Sequence, residues 1–134
     1  MQVTSSAVSL TVDDVAASAA FLATHFGYKE VMAAEGFASL QRDDAAMDVI
    51  FLRRGIEVLP EGFRDRHAAG VIIALVVTTG LAAEEARLRA EGVAITMPLR
   101  EEPWGERLFQ VTDPNGVIVQ LVEWVTPSGQ GEPH

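Results

Sequence analysis

The chain has 134 residues, 49% of them hydrophobic and 22% charged, which is the composition of a packed domain and not of a disordered segment. Ten Lys and Arg against 19 Asp and Glu leave a formal charge of −9. That balance disfavours nucleic acid and anionic membrane, whose phosphates are gripped by clustered basic residues. With no cysteine there is no disulfide framework, thiolate zinc site or cysteine nucleophile. The longest apolar stretch, Val71 to Val77, is far short of the ~20 residues of a membrane span, and no basic leader precedes an apolar segment. These features predict a soluble cytoplasmic protein.

In chain order, Ala7 to Val12 alternates, with Val8, Leu10 and Val12 on one side, the period of a half-buried strand. Asp13 or Asp14 caps a helix running to about Phe26, closed by Gly27 in a left-handed turn. Three strands follow, over Lys29 to Ala34, Phe37 to Arg42 and Met47 to Leu52. Residues 55–69 show no clear period and read as a linker.

The order of elements then repeats. A strand over Val71 to Val77 leads to a helix that starts at Thr79 or Gly80 and stops at Gly92, with strands at Val93 to Met97, Glu106 to Thr112 and Val117 to Trp124. Asp113-Pro114-Asn115-Gly116 joins the last two, Pro setting the turn and Asn-Gly tolerating positive φ. Laying Asp113 on Asp43, a shift of 70, aligns the apolar parity of the last strands of the two halves. The reading is one α+β domain of two β-α-β-β-β modules, residues 5–54 and 70–125, with a mobile tail over 126–134.

The opening Leu10-Thr11-Val12-Asp13-Asp14 and the closing Trp104-Gly105-Glu106-Arg107, Asp113-Pro114-Asn115-Gly116 and Leu121-Val122-Glu123 carry a resemblance. Over residues 5–125 the chain resembles the vicinal oxygen chelate superfamily, the glyoxalase, bleomycin-resistance and extradiol dioxygenase proteins. The resemblance implies two modules with mixed sheets curved around a cleft, helices on the outer faces, and, in the family's enzymes, a divalent metal held by His or Glu from the first and last strand of each module. Those four positions read Ala7, Ile50, Ile72 and Gln120: one weak neutral donor. Asp48 and Glu123 are the nearest substitutes. His25, His67 and His134 fall in a helix, the linker and the tail. No metal or other cofactor is expected.

Metal-free members resemble proteins that bind an antibiotic stoichiometrically. The resemblance to the mitomycin-resistance proteins includes a Trp-Gly-x-Arg that places a drug-stacking indole at Trp104. The expected ligand-binding set is therefore Trp104, Phe37, Gln120, Ile50, Ile72, Asp48, Trp124 and Arg107, with Phe37 on the opposite wall, Trp124 at the cleft or a subunit boundary, and Arg107 paired with a carboxylate of the sheet or the ligand. The ligand is a planar aromatic antibiotic or related metabolite. The alternative is a lyase, isomerase or hydrolase using Asp48, Glu123 or Glu106 as general base; a pseudoenzyme subunit is a third reading. The family also implies a homodimer, with modules exchanged if the linker is a hinge.

Overall fold

The computed structural model describes residues 1–125, so the tail expected over 126–134 lies outside the described residues. The chain divides after Gly70 into two units. In the first, β1 (Ala7–Val12) is followed by α1 (Val15–Phe26), β2 (Lys29–Ala34), β3 (Phe37–Gln41) and β4 (Asp48–Arg53). In the second, β5 (Ile72–Val76), α2 (Leu81–Ala90), β6 (Ile95–Glu101), β7 (Glu106–Thr112) and β8 (Ile118–Trp124) repeat the order.

Each unit forms a four-stranded sheet, β1-β4-β3-β2 and β5-β8-β7-β6. The β1–β4 and β5–β8 pairs are parallel and the remaining pairs antiparallel. A parallel pair cannot be closed by a tight turn, which is why each module places a helix and two strands between its first and last strand. The architecture is the α+β duplication of β-α-β-β-β modules expected from the sequence, with mixed sheets.

One face of each sheet is covered by the helix of its own unit: α1 packs on β2, β3 and β4, and α2 on β6, β7 and β8. Strand parity decides what goes under the helix. In the first unit Leu10, Val12, Leu40, Val49 and Phe51 are buried, as are Leu22 and Phe26 of α1. In the second, Phe109, Val111, Val119 and Leu121 are buried, as is Leu88 of α2. Removing a ring such as Phe109, fully enclosed, leaves a cavity and costs about 3–5 kcal/mol.

Local chemistry sets the element ends. Asp14 is the cap of α1, its carboxylate accepting from the Ala17 N–H at 3.1 Å. Gly27 ends the helix at φ +68°, its N–H returning to the Leu22 carbonyl. Arg42 seals that end: it donates to the Phe26 carbonyl, lies 5.9 Å from the Tyr28 ring centroid and is gripped by Asp44 at 2.7 Å. Those hydrogen bonds hold the Asp44 carboxyl below its ordinary pKa.

Besides one-residue shifts at the ends of β3, β4, β5 and β8, two features differ from the sequence reading. Val93 was expected to begin a strand, but its N–H donates to the Leu88 carbonyl at 3.0 Å and so belongs to the end of α2; β6 begins at Ile95 and runs on through Pro98 to Glu101. Proline's missing donor is tolerated because β6 is the outermost strand and its register shifts between Met97 and Arg100. The segment expected as a linker is fastened to the first unit. Arg54 N–H donates to Val12 O at 2.9 Å, Gly55 N–H to Arg64 O at 2.7 Å and Ala68 N–H to Thr11 O at 2.6 Å.

Candidate functional site

All the ligand-binding candidates but Trp104 and Arg107 lie on the sheet faces turned away from the helices, and register decides which of them meet. On the first sheet, Ala7 faces Asp48, Ser9 faces Ile50, and Thr11 faces Leu52; Leu52 also faces Phe37 on β3. Phe37, Asp48 and Ile50 thus share one open face. Asp48 accepts from the Gln41 amide at 3.0 Å, and Phe37 and Ile50 are half-buried.

On the second sheet Ile72 faces Ile118, Ala74 faces Gln120, and Val76 faces Val122. Across the other side of β8, Gln110 faces Gln120 and Glu106 faces Trp124. The register comes from the turn. Asp113, buried, accepts at one carboxylate oxygen from the N–H groups of Asn115 and Val117, both at 2.8 Å, while Gly116 sits at φ +86° and donates to the Asp113 carbonyl at 3.0 Å. A hairpin pinned this way pairs residues equidistant from its centre. That brings Gln110 onto Gln120, whose side chains are bonded at 2.8 Å.

Gln110 is a residue that reading strands one at a time passes over. The signal for it was available, since counting equal steps outward from the turn places it opposite Gln120.

Trp104 lies in the connection between β6 and β7, 63% exposed. Its indole N–H donates to a Glu106 carboxylate oxygen at 3.0 Å. Glu106 starts the open-face row of β7 and faces Trp124, so the two tryptophans flank one end of the second sheet's open face. Gly105 makes the placement possible: it is buried at φ +91° and accepts from Val125 N–H at 2.7 Å.

Arg107 does not share this face. It has the opposite strand parity, donating to Glu123 at 3.2 Å and lying 3.8 Å from Glu101. The other oxygen of Glu123 accepts the Leu81 N–H at 3.0 Å, capping α2, whose Gly80 start offers no side-chain cap. Both oxygens of Glu123 are therefore committed to holding the fold, and Glu106 holds an indole. Neither is poised as a general base.

The donor set does not fit a divalent metal. Among the described residues no group of three or more His, Asp or Glu side chains could hold one. Gln120, the one donor at the positions that the resemblance assigns, has its carbonyl engaged by Gln110. His25 packs edge-on against Phe21 at 5.3 Å between centroids, and His67 stands beside the Ala68 carbonyl at 3.1 Å. None of the helices among the described residues is long and apolar enough to cross a membrane.

Comparison with known proteins agrees with this architecture. The family model described as Glyoxalase/Bleomycin resistance protein/Dioxygenase superfamily matches residues 4–121. Among solved structures, a glyoxalase/bleomycin resistance protein/dioxygenase from Nocardioides is similar with a TM-score of 0.77 at 21% identity, over 100% of this chain and 91% of that one. An integron cassette protein from V. cholerae is similar with a TM-score of 0.71 at 20% identity, over 93% of this chain and 98% of that one. The lactoylglutathione lyase of Agrobacterium tumefaciens has a TM-score of 0.71 at 17% identity, over 91% of this chain and 94% of that one. No match was found among curated protein sequences.

Proposed function

Since the chain belongs to the glyoxalase/bleomycin resistance protein/dioxygenase superfamily and three of its four candidate chelating positions, Ala7, Ile50 and Ile72, lack a donor, we propose that it is a metal-independent binding protein for a planar aromatic antibiotic or related metabolite. It would sequester or carry that ligand. The observation that carries the reading is the open face of the second sheet. Ile72 and Val76 stand 47% and 64% exposed there, and at its end stands the indole of Trp104, exposed yet held by a hydrogen bond. Large apolar groups left in water on one face of a small protein mark a surface built to be covered. A flat ligand is covered best by an aromatic face and small apolar neighbours, with a few polar groups to orient it.

Thermal unfolding with and without candidates tests the reading. A planar ligand such as an anthracycline, present at about 100 times its Kd, adds about 2.7 kcal/mol to stability, and the melting temperature should rise by several degrees. Zinc, nickel and manganese should leave it unchanged. Uptake of one equivalent of metal with a raised melting temperature, lost in Gln120→Ala, would sink the proposal.

The same proposal includes a homodimer. β2 is the outermost strand of the first sheet and all six of its residues are exposed, Val31 at 49% and Met32 at 62% among them. The open outer edge of such a strand is a template for another chain. Because residues up to Ala68 are bonded to the first unit, an exchange of modules would hinge at 69–70. Light scattering should give about twice the 14.4 kDa of one chain; a mass of one chain at working concentration would defeat the dimer.

A further inference from the structure

We propose that the bonded amide pair Gln110–Gln120 recognises a ligand edge on which a carbonyl stands beside an N–H or O–H, as in a lactam. The inference rests on the aromatic-ligand reading and names the chemistry of the ligand that it would take. The two side chains face each other on adjacent antiparallel strands, both half-buried, with Gln110 Nε2 donating to Gln120 Oε1 at 2.8 Å. One amide–amide hydrogen bond uses one donor and one acceptor. It leaves Gln110 Oε1 free to accept and Gln120 Nε2 free to donate. Rotating both amides by 180° reverses the order and still leaves one acceptor beside one donor.

The surroundings make that pair distinctive. Ala74 faces Gln120 from β5 and Met97 faces Gln110 from β6, while Ile118 and Val122 stand two residues to either side of Gln120 on the same face. Thr112, two residues from Gln110 on the same face of β7, is the polar neighbour, and its hydroxyl is engaged with that of Thr96 at 2.9 Å. A donor and an acceptor side by side among mostly apolar neighbours orient a ligand and reject analogues that cannot match both. A face meant only for packing would carry branched apolar residues here. Ordering two glutamine side chains costs more entropy than ordering such residues.

The pair is also set apart from the aromatic end. Glu106, which holds Trp104, and Gln110 are four residues apart on β7, roughly 13 Å at ~3.3 Å per residue. A ligand that stacks on Trp104 and bonds the amides is therefore elongated, and a small lactam reads the amides alone.

The test uses two probes of nearly equal size: 2-quinolone, whose N–H adjoins its C=O, and N-methyl-2-quinolone, which lacks the donor. Titration into 15N-labelled protein is followed at the side-chain amide signals of Gln110 and Gln120, assigned by their loss in Gln110→Met and Gln120→Met. The expected result is movement of both signals and about tenfold tighter binding of 2-quinolone, because its methylated analogue leaves an acceptor unmatched. In each Met variant the preference should fall below about twofold. The two probes on unaltered protein give a result that no folding defect can imitate. Equal affinities there, amide signals that stay still, or a preference that survives both Met variants would overturn the proposal. An anthracycline titration separates the two readings. Quenching of Trp104 without any lactam preference removes the amide inference and keeps the aromatic one, and a lactam preference without quenching does the reverse.

Discussion

Trp104→Ala is expected to weaken the binding of a planar aromatic ligand by about thirtyfold or more while leaving the melting temperature nearly unchanged. The indole is 63% exposed, so its removal opens no cavity. What is lost is the anchor. The hydrogen bond from Nε1 to Glu106 at 3.0 Å holds the ring in one orientation, so little further ordering is needed when a ligand stacks on it. Truncating an aromatic anchor costs about 2 kcal/mol or more, which is the thirtyfold factor at 25 °C. Trp104→Phe keeps a smaller face but loses the bond to Glu106, and should fall between wild type and alanine. Trp124, half-buried on β8, should show a smaller effect on binding. Calorimetric titration checks all three, and equal affinity of wild type and Trp104→Ala would reduce Trp104 to a surface residue of the connection.

The residue that places the indole should be costly to change. At Gly105 the backbone has φ +91°, and a Cβ there would lie 2.8 Å from the Val125 carbonyl oxygen. Alanine would carry the strain of positive φ, about 1–2 kcal/mol. It would also push away a backbone segment that cannot turn aside as a side chain can, endangering the 2.7 Å bond from Val125 N–H to Gly105 O. We expect Gly105→Ala to lose about 2–4 kcal/mol in chemical denaturation. Gly116→Ala is the control: at φ +86° it has the same strain but nothing within 4 Å of the added carbon, so about 1–2 kcal/mol should be lost. Equal losses in the two variants would refute the steric part of the argument.

The duplicated fold was legible because each half states its own ends. Asp14 and Gly27 bracket α1, and Asp113 to Gly116 set the β7–β8 hairpin, all by short-range chemistry. The shift of 70 that aligned the halves is the spacing between the first residues of β4 and β8, Asp48 and Ile118. What escaped depends on partners far along the chain. The capping of α2 by Glu123 joins residues of different elements, as does the fastening of Ala68 to Thr11, and periodicity within one segment carries no trace of either. Likewise the candidate set could name Gln120 and Arg107 but not the partners Gln110 and Glu123 that engage them. Gln120 needed its opposite number on β7, and Arg107 needed the parity that turns it toward Glu123.

The parallel closing of each module bears on how the chain leaves the ribosome. Ala7 pairs with Asp48 and Ile72 with Ile118, so the first strand of each unit is synthesised roughly 40 residues before the strand that completes its sheet, about 2–8 s at ~5–20 residues per second. During that interval β1 displays Leu10 and Val12 with no sheet to receive them, and the helix that follows cannot yet bury Leu22. Once β4 emerges the first unit has every strand that it needs, while β5 is only starting. Nascent chains halted once Gly70 has cleared the ribosome would therefore expose a finished half, and those halted before Asp48 has emerged would expose an early strand still free to pair elsewhere.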